Sequence, residues 1–541
     1  MLIYVAGLNP RVGDISQNSK KILESIDIAR EKEADILLFA ESSLSGYPAE
    51  DLLLYNSFLE EIKENEKKII KASKDLFIVL GTIRKNKNKG KPLFNTACII
   101  NNQKVLGYKD KTLLPTYDVF DERRYFEVGK KQKVFKYKNK KIGVLICEDA
   151  WIDSDENTQY DIDPVTDLKK LNPDLVLVLS ASPYYFQKLE KRVEIYSKAA
   201  KKLNVPLIVA NQVGANDQLV FDGYSMYFDS SGNLLDISKG FVEDHLLIDT
   251  DLKYKKKEIN IDPVQDLYSA LVLGVKDYFI KQKLTKALIG LSGGIDSALV
   301  LCIAKDALGS ENVLAVNMPS RFSSSSSIED SHLLAGNLKI KVEDIPIDNM
   351  FQNYLDLLQP YFLKKPFDTT EENIQARIRG MILMALSNKL GYIVLSTGNK
   401  SEIAIGYVTL YGDMCGGLGV LNDVTKTLIY KLARWINRQN EIIPKSIIEK
   451  EPSAELKKNQ KDSDTLPSYD IIDKVLQGYV EDHLSIEKIS EKHSIESSVV
   501  KDLIKKIHLA EYKRRQAPPG IRVSKKAFTK GRYLPIVQGW I

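Results

Sequence analysis

Short apolar runs alternate with stretches of helical spacing through the first 250 residues of this chain. Runs of this length, bounded by turn residues, are typical of strands that are buried on both faces. The predicted strands are Leu2–Ala6, Ile36–Ala40, Ile78–Thr82, Thr96–Ile100, Ile142–Cys147, Leu175–Ser180 and Leu207–Ala210. The predicted helices are Ser16–Lys32, Glu50–Ala72 and Lys188–Leu203. This alternation predicts a layered α/β fold.

A second pattern begins after a charged stretch, Asp249–Glu258, whose lysines favour a solvated linker. The elements predicted for this half are the helix Val264–Gln282, strands at Leu288–Leu291, Val313–Asn317 and Tyr392–Leu395, and the helix Glu371–Leu390. They predict a doubly wound parallel sheet, a fold that binds nucleotides at the ends of its strands. Beyond Pro444 the chain is polar, and its pattern predicts small helices and a basic tail. We therefore expect domains at residues 1–250 and 264–541, joined by a linker at 251–263.

Composition excludes several classes of protein. The 541 residues are 44% hydrophobic and 28% charged, and their net charge of +5 is too balanced for a dedicated nucleic-acid binder. No apolar run is long enough to cross a bilayer, and the first residues lack the features of a secretory signal. The four cysteines form no CxxC pair, which favours a reducing cytoplasm. We expect a cytoplasmic protein that acts on small molecules.

The stretch after the strand Leu288–Leu291 carries the clearest chemical pattern, Ser292-Gly293-Gly294-Ile295-Asp296-Ser297. Two adjacent glycines let the backbone approach a ligand closely. Their amides, together with the start of the next helix, suit an anion such as phosphate. Asp296 is a poor partner for phosphate unless a cation lies between them, so the pattern favours a nucleotide with a metal ion.

This loop is not a Walker A motif, because no Gly-Lys-Ser/Thr ends it. In its strand–loop–helix context the hexapeptide resembles the ATP pyrophosphatase family, whose members release pyrophosphate and leave AMP on a substrate. The resemblance implies that ATP is bound by Ser292, Gly293, Gly294, Asp296 and Ser297.

In the first half, Cys147 stands where a predicted buried strand ends and a turn begins. A free cysteine in such a place is often a small hydrophobe, but the position can also expose a nucleophile on a rigid base. A thiol needs activation, and none of the five histidines lies near a motif-like strand end in this half. A carboxylate must therefore act as its base.

Two further windows supply a carboxylate and a cation. Glu41 follows the predicted strand Ile36–Ala40, and Lys109 and Lys111 precede a Leu-Leu-Pro turn. With the cysteine window these resemble the nitrilase superfamily and its Glu–Lys–Cys triad, which implies an α-β-β-α sandwich. The resemblance makes Glu41 the general base, Cys147 the nucleophile and Lys111 the cation that stabilises the oxyanion. The Lys-x-x-Leu-Pro spacing favours Lys111, and Lys109 remains an alternative.

The nitrilase resemblance also implies a substrate. Glu122 matches the second glutamate that accompanies the triad, and the backbone N–H of Glu148 completes an oxyanion hole. Glutaminase members hold the free amino acid at positions that match Tyr117, Glu148, Ser182 and Lys188. An amide substrate that bears an ammonium and a carboxylate needs opposite charges nearby, which Glu148 and Lys188 provide.

Further polar groups follow the predicted strands of the second half. Five serines, Ser323–Ser327, come after Arg321 and predict either a flexible linker or a mobile lid over the nucleotide. Glu372–Gly380 begins a helix with polar and guanidinium groups that suit an anionic ligand. The remaining windows are Ser396–Glu402, Leu410–Gly417 and Asp423–Lys426. The set resembles the NAD synthetase family, in which ATP adenylates the nicotinate carboxylate of deamido-NAD and ammonia displaces AMP.

That resemblance implies roles for these groups. Asp296 and Glu402 hold magnesium against the phosphates, because this hard cation favours carboxylate oxygens. Lys400, Lys426 and Arg321 offset charge that develops at the α-phosphate. Thr397 binds ATP, and Lys513 belongs to a C-terminal segment that closes over the site. The residues expected to bind deamido-NAD are Asn373, Arg377, Lys400, Glu402, Asp413, Lys426 and Lys513.

Each half supplies what the other lacks, since an adenylated carboxylate needs a nitrogen nucleophile and an amidase releases ammonia. The whole chain therefore resembles the glutamine-dependent NAD synthetase family, which are ligases that form a C–N bond. The resemblance implies ATP, Mg2+, glutamine and deamido-NAD as the molecules bound, and a homo-oligomeric assembly.

Two alternatives share parts of this pattern. An ATP pyrophosphatase that modifies tRNA or amidates GMP would keep the glycine loop. However, the sequence shows no concentrated basic stretch for RNA, and GMP synthetases draw ammonia from a Cys–His glutaminase. A regulatory protein with decayed sites would have lost a triad member or Asp296, and all of these are present.

Overall fold

Two units, Met1–Ile261 and Asp262–Ile541, divide the chain in the computed structural model, which describes residues 1–151, 160–363 and 365–540. The strands of the N-terminal unit are β1 (Leu2–Gly7), β2 (Ile36–Phe39), β3 (Phe77–Lys85), β4 (Leu93–Asn101), β5 (Lys104–Asp110), β6 (Val134–Tyr137), β7 (Lys140–Ile146), β8 (Leu175–Ser180), β9 (Leu207–Asn211), β10 (Val213–Asn216), β11 (Leu219–Asp222), β12 (Met226–Phe228), β13 (Leu234–Ile237) and β14 (Asp244–Asp249). Its helices are α1 (Ile15–Glu31), α2 (Asn56–Ala72), α3 (Glu122–Tyr125), α4 (Pro164–Lys169) and α5 (Lys188–Leu203).

These strands form two six-stranded sheets, ordered β14-β1-β2-β3-β4-β5 and β13-β12-β9-β8-β7-β6, and a two-stranded ribbon of β10 and β11. Strands β1, β2 and β3 run parallel at the centre of one sheet, and β7, β8 and β9 do so in the other. The inner faces share one apolar core, where Val5 and Leu38 pack in the same cluster as Val144 and Leu177. Helices α1 and α2 cover the outer face of the first sheet, and α4 and α5 cover the second. The expected α-β-β-α sandwich is confirmed.

The local pattern placed most central elements correctly, and α5 has the predicted bounds. The predicted helix at 50–72 is interrupted, because Tyr55 is extended and separates a 3₁₀ turn, Glu50–Leu54, from α2. The stretch predicted as a solvated linker is held on the N-terminal unit. The Tyr254 hydroxyl accepts from the Asp249 N–H at 3.0 Å, and the Lys257 N–H donates to the Leu234 carbonyl at 2.8 Å.

The C-terminal unit is built on a five-stranded sheet with the order β17-β16-β15-β18-β19, in which every neighbouring pair is parallel. Its strands are β15 (Ala287–Gly290), β16 (Val313–Asn317), β17 (Lys341–Asp344), β18 (Ile393–Ser396) and β19 (Leu418–Gly419). Its helices are α6 (Pro263–Lys281), α7 (Ile295–Leu308), α8 (Ser325–Leu338), α9 (Asp348–Leu358), α10 (Thr369–Leu390), α11 (Lys400–Ile405), α12 (Lys426–Ile436), α13 (Lys445–Glu449), α14 (Tyr469–Leu476), α15 (Ile486–His493), α16 (Ser497–Leu509) and α17 (Glu511–Arg514). The expected doubly wound parallel sheet is confirmed.

The sequence led us to expect a flexible linker or a mobile lid at the serine run. The run instead supplies the N-cap and the first residues of α8. The Ser324 hydroxyl accepts from the Ser327 N–H at 3.2 Å, which is the hydrogen bond of a helix N-cap. The hydroxyl thus pairs with one of the backbone N–H groups that have no partner within the first turn of a helix. Across the described residues, every helix is too short or too polar to cross a membrane.

Candidate active sites

Glu41 follows β2 and is almost completely buried. Its Oε1 accepts from the Asn95 side-chain amide and from the Lys111 ammonium, both at 2.7 Å. Its Oε2 accepts from the Ala181 N–H at 3.1 Å. The backbone before Glu41 passes close to Gly81 of β3, where an added Cβ would lie 2.2 Å from the Ala40 carbonyl oxygen. Only glycine leaves room for this approach. The carboxylate is therefore fixed by contacts from three other strands and loops.

Lys111 bridges two carboxylates, because its Nζ also lies 2.7 Å from the Oε1 of Glu122. Burial alone would lower the pKa of Lys111, but Glu122 and Glu41 outweigh it and raise this pKa well above its ordinary value. Burial raises the pKa of Glu122 to about 7, against the opposing effect of Lys111. Tyr47 donates to the same Glu122 oxygen at 2.9 Å. Lys111 thus remains a cation at the centre of this cluster.

Lys109, the alternative to Lys111, is committed to another partner. It is fully buried, and its Nζ lies 3.2 Å from the Asp149 carboxylate. The other oxygen of Asp149 accepts from the backbone N–H groups of Thr112 and Leu113. Lys109 therefore ties the turn after Cys147 to the loop that carries Lys111, and it makes no ion pair with Glu41.

Cys147 begins a one-turn 3₁₀ helix, Cys147–Ala150, directly after β7. Its φ of +43° lies in the left-handed region, a conformation that non-glycine residues rarely adopt and that is common at functional sites. Burial raises the pKa of the thiol to about 12, and the Glu41 carboxylate acts in the same direction. The thiol is consequently protonated at neutral pH, so its reaction as a nucleophile needs a base.

The four residues expected to bind glutamine surround the same turn. Tyr117 donates to the Glu148 carboxylate at 2.8 Å. Lys188 begins α5, donates to the Pro183 carbonyl at 2.6 Å and lies over the rings of two aromatic residues, Trp151 and Tyr185. The Ser182 N–H is held by the Asn211 side chain at 3.1 Å. The structure thus brings an acidic and a basic side chain to the neighbourhood of the cysteine.

The C-terminal unit contains a cavity of about 420 Å³ at the ends of its parallel strands. Glycine loop 292–297 forms one wall, and Gly293, at a φ of +74°, packs so closely on Ser327 that a Cβ would lie 2.4 Å from its carbonyl oxygen. Ser297 accepts from the Ser292 N–H at 3.2 Å and donates to the Gly294 carbonyl at 3.0 Å. The expected site residues that line this cavity are Ser292, Gly293, Gly294, Asp296, Ser297, Asn373, Thr397, Glu402, Asp413, Lys426 and Lys513.

One lysine joins the two carboxylates of this cavity. The Nζ of Lys426 lies 2.5 Å from the Oδ2 of Asp296 and 3.0 Å from the Oε1 of Glu402. Asn399 donates to the other oxygen of Asp296 at 2.8 Å. Burial raises the pKa of Glu402 to about 7, while Lys426 opposes this shift. These contacts bring oxygen ligands from two elements, α7 and α11, to one point.

Lys400 and Arg377 do not line the cavity. Lys400 is fully buried, and its Nζ lies 2.7 Å from Glu481 and 3.1 Å from Asp423. The buried Asp423 and the partly exposed Glu481 hold this ammonium away from the cavity lining, and its expected role at the α-phosphate stays a prediction. Arg377 is exposed, and its Nε donates to the Leu410 carbonyl at 3.3 Å.

The remaining expected residues meet at one end of the cavity. Thr409 joins two of them, because its hydroxyl donates to Asn373 and its N–H donates to Asp413, each at 2.8 Å. Lys513 donates to the carbonyls of Gly406 and Val408, also at 2.8 Å each. Lys513 of the C-terminal segment therefore lies in the cavity wall, and the expected closure of this segment over the site stays a prediction.

Comparisons with known proteins match both units. The carbon-nitrogen hydrolase family matches residues 2–254, and the NAD synthase family matches residues 267–517. A glutamine-dependent NAD(+) synthetase from Synechocystis sp. is 45% identical to this chain, over 99% of both chains. A second such protein, from Acinetobacter baylyi, is 41% identical over 99% of this chain and 98% of its own. The chain belongs to the glutamine-dependent NAD(+) synthetase family.

A solved structure of a family member from Acinetobacter baumannii, in complex with adenosine diphosphate, is 38% identical. It covers 100% of this chain and 99% of its own, with a TM-score of 0.78. A family member from Cytophaga hutchinsonii is only 20% identical but has a TM-score of 0.86. The fold is thus shared along the whole length of the chain.

Sequence reasoning missed several residues of these family sites. Asn95 holds Glu41 from β4, Tyr47 holds Glu122, and Asn399 holds Asp296. Asn95 is a polar residue in β4, a mostly apolar strand that also contains Thr96 and Asn101. Asn399 stands inside the window Ser396–Glu402 and Tyr47 lies shortly after Glu41, but their partners are distant in sequence. No local pattern identifies such pairs.

Proposed function

We propose that this chain synthesises NAD(+) from deamido-NAD, ATP and glutamine. Its N-terminal unit hydrolyses glutamine to glutamate and ammonia. Its C-terminal unit adenylates the nicotinate carboxylate of deamido-NAD and lets ammonia displace AMP. The net products are NAD(+), glutamate, AMP and pyrophosphate, and the enzyme is a ligase that forms a C–N bond.

The observation that carries this proposal is the presence of both sites in a chain that its relatives match from end to end. The Glu41–Lys111–Cys147 cluster suits amide hydrolysis, and the glycine loop with Asp296 suits a nucleoside triphosphate. Neither activity alone explains why the two units are joined. An ammonia-releasing unit and an ammonia-using unit complement each other.

In the first reaction, Glu41 takes the proton of the Cys147 thiol as the sulfur attacks the carboxamide carbon of glutamine. The ammonium of Lys111 and the N–H of Glu148 stabilise the oxyanion that forms. Glu41 then gives its proton to the leaving nitrogen as the C–N bond breaks, which yields ammonia and a thioester. Water, deprotonated by Glu41, attacks the thioester, and glutamate leaves as the thiol regains its proton.

The rigid mounting of Glu41 supports this assignment. Three hydrogen bonds hold its two oxygens, and the cation of Lys111 stays beside it in every step. A base that is held in place loses little free energy to reorganisation during the reaction. For the free amino acid, Glu148 with Tyr117 would bind the ammonium, and Lys188 and Ser182 would bind the carboxylate.

In the second reaction, an oxygen of the nicotinate carboxylate attacks the α-phosphorus of ATP, and pyrophosphate leaves. The backbone of Gly293 and Gly294 and the hydroxyls of Ser292 and Ser297 would hold the pyrophosphate portion, because α7 begins at the loop. Lys426 would offset the charge that develops at the α-phosphate. Ammonia then attacks the adenylated carbonyl carbon, and AMP leaves.

We propose Mg2+ as the metal that ATP brings to this cavity. No group of three or more His, Cys, Asp or Glu side chains forms a cage in the part of the chain that the structure describes. Mg2+ does not require one, since it usually binds one or two carboxylates together with phosphate oxygens and water. Asp296 and Glu402, which share one lysine, fit this requirement. When bound, the ion would neutralise charge on the phosphates.

Deamido-NAD would occupy the part of the cavity formed by Asn373, Asp413 and Lys513. This end offers hydrogen-bond donors and one cation, which suit a dinucleotide with two phosphates. The position of Arg377 outside the cavity wall leaves it as a candidate for a more distant part of this ligand.

We further propose a homo-oligomer in the cytoplasm. Helix α9 exposes an apolar stripe, Met350, Tyr354 and Leu357, at helical spacing. The neighbouring α10 exposes Met381 and Met384, and apolar surface of this kind favours association. All four cysteines are free, as is usual in a reducing compartment. Light scattering of the purified protein would test the assembly, and cell fractionation would test the compartment.

The deciding experiment is NAD(+) formation from deamido-NAD and ATP with magnesium, supplied in parallel with glutamine and with ammonium chloride. Product from both donors is the expected result. Product from ammonium alone would assign the N-terminal unit to another amide. An absence of product with either donor would contradict the proposal.

A further inference from the structure

Ser180 contacts the reacting sulfur from the side of the sheet. It is the last residue of β8, and the parallel register of β7 with β8 pairs Ile146 with Leu179. The next residues of the two strands, Cys147 and Ser180, are therefore neighbours. The Ser180 hydroxyl donates to the Sγ of Cys147 at 3.6 Å, an ordinary distance for a hydrogen bond to sulfur.

The Ser180 backbone has no freedom to move away from this contact. Its carbonyl accepts from the Gln212 N–H at 3.0 Å, and Ser180 pairs with Asn211 of β9. The residue is completely buried. A hydroxyl fixed in this way in the middle of a sheet can reorient only about its own χ1 bond.

Helix α5 packs against the turn that Cys147 begins. Lys188, Arg192 and Tyr196 are four residues apart on this helix, so they project from one face, and all three are buried. Arg192 makes a buried two-point ion pair with Asp222, at 2.8 Å for each contact, which fixes the helix. The Tyr196 hydroxyl has no hydrogen-bond partner among the described residues, and burial raises its pKa.

Other charged and titratable groups also surround the sulfur. They lie at the turn that follows β7, on α5 and on neighbouring elements. These groups are Glu41, Lys111, Glu148, Tyr47, Tyr117 and Arg192. Glu41 and Glu148 raise the pKa of the thiol, whereas Lys111 and the Ser180 hydrogen bond lower it. Ser180 is a neutral side chain that favours the thiolate.

We propose that Ser180 stabilises the thiolate form of Cys147 and aims its Sγ. This inference rests on the proposed glutaminase reaction, in which sulfur carries negative charge as it attacks and again as it leaves the thioester. A neutral donor can stabilise that charge without competing with Lys111 for Glu41. Ser180 would thus be a fourth side chain that acts on the reaction, beside the triad.

The test is the rate at which iodoacetamide alkylates Cys147, followed across a pH series by mass spectrometry of the peptide that contains it. Loss of a hydrogen bond to the thiolate raises the pKa of the thiol, so Ser180→Ala should shift the plot of log rate against pH toward higher pH by about one unit. At neutral pH this corresponds to alkylation about tenfold slower. Ser180→Thr keeps the hydroxyl and should restore the rate.

Ser73→Ala is the matched control, because Ser73 is equally buried and donates to the Ile70 carbonyl far from the sulfur in sequence and in contacts. It should lower stability without moving the profile. If the alkylation rate of Ser180→Ala followed the same pH profile as that of wild type, the proposal would be overturned.

Alkylation needs no glutamine, so this test separates the two proposals. If the wild-type protein did not hydrolyse glutamine, the glutaminase reaction would fail while the alkylation profile still reported on Ser180. If glutamine hydrolysis is present, its kcat in Ser180→Ala should fall about tenfold. NAD(+) synthesis from ammonium should remain unchanged.

Discussion

The ammonium of Lys426 lies 2.5 Å from the carboxylate of Asp296 and so joins the start of α12 to the glycine loop. Its second partner, Glu402, lies on α11. The three charges come from segments that are far apart in sequence and meet only in the folded cavity. Loss of the Asp296 carboxylate would leave the lysine paired with Glu402 alone and remove one of the two carboxylates proposed to hold magnesium.

Asp296→Ala should therefore abolish NAD(+) formation with both nitrogen donors, by more than about a hundredfold, since it removes a metal ligand and a charge partner together. Glutamate release from glutamine should persist, because the triad lies in the N-terminal unit. Asp296→Asn keeps the shape and should be nearly as inactive. A variant that still formed NAD(+) from ammonium at the wild-type rate would contradict this role.

Cys147→Ala should separate the two nitrogen donors. Synthesis from glutamine should disappear because no thioester can form, whereas synthesis from ammonium chloride should continue. The measurement is the rate of NAD(+) formation with each donor at saturating ATP. Cys98→Ala is a suitable control, since Cys98 is also buried but belongs to the opposite face of the first sheet. Retention of glutamine use in Cys147→Ala would contradict the triad.

Substitution of Lys109 and substitution of Lys111 should have different effects on the protein. Lys109→Met leaves the buried Asp149 carboxylate without its cation, and breaking a buried pair of this kind costs about 3–5 kcal/mol of stability. Lys111→Met removes the cation beside Glu41 and should abolish glutamine hydrolysis. Urea unfolding and glutamate release would be measured for both. A stable, inactive Lys109→Met beside an active Lys111→Met would reverse the assignment.

Asn95→Ala should slow glutamine hydrolysis while leaving ammonium-dependent synthesis intact. The amide donates to Glu41, and hydrogen bonds to charged groups contribute about 1.5–3 kcal/mol, so kcat should fall roughly tenfold to a hundredfold. Asn65→Ala is the matched control, because Asn65 is nearly as buried and donates only to the Glu61 carbonyl on α2. Equal losses in both variants would show a general packing effect instead.

Glu122 should make the stability of the N-terminal unit depend on pH. Burial raises its pKa from 4.5 to about 7, so the folded state keeps a proton that the unfolded state has already released. Its stabilising contribution is fully present below pH 4.5 and is lost as the pH rises through 7. The side chain of Glu122→Gln cannot ionise, so the urea midpoint of this variant should fall less than that of wild type between pH 4.5 and 7. If the midpoint of the variant depended on pH as it does in wild type, the raised pKa of Glu122 would be contradicted.

Local pattern was sufficient for the elements at the centre of each sheet. Strands such as β8 are continuously apolar, and α5 begins and ends at residues whose pattern changes sharply. The outer strands were missed because they are short or partly exposed, as in β5. The serine run was misassigned because its composition suggests flexibility, whereas its hydroxyls satisfy the first turn of a helix.

The motifs in the chain were enough to indicate the chemistry of both halves, because phosphate loops and strand-end nucleophiles need particular residues close together in sequence. The choice between Lys109 and Lys111, the burial of Lys400 and the contact between Ser180 and Cys147 were decided only by the folded structure. Each of these depends on which partner a side chain meets across a sheet or a cavity. The charge, burial and hydrogen bonding of a side chain depend on both partners, so the sequence of one segment does not determine them.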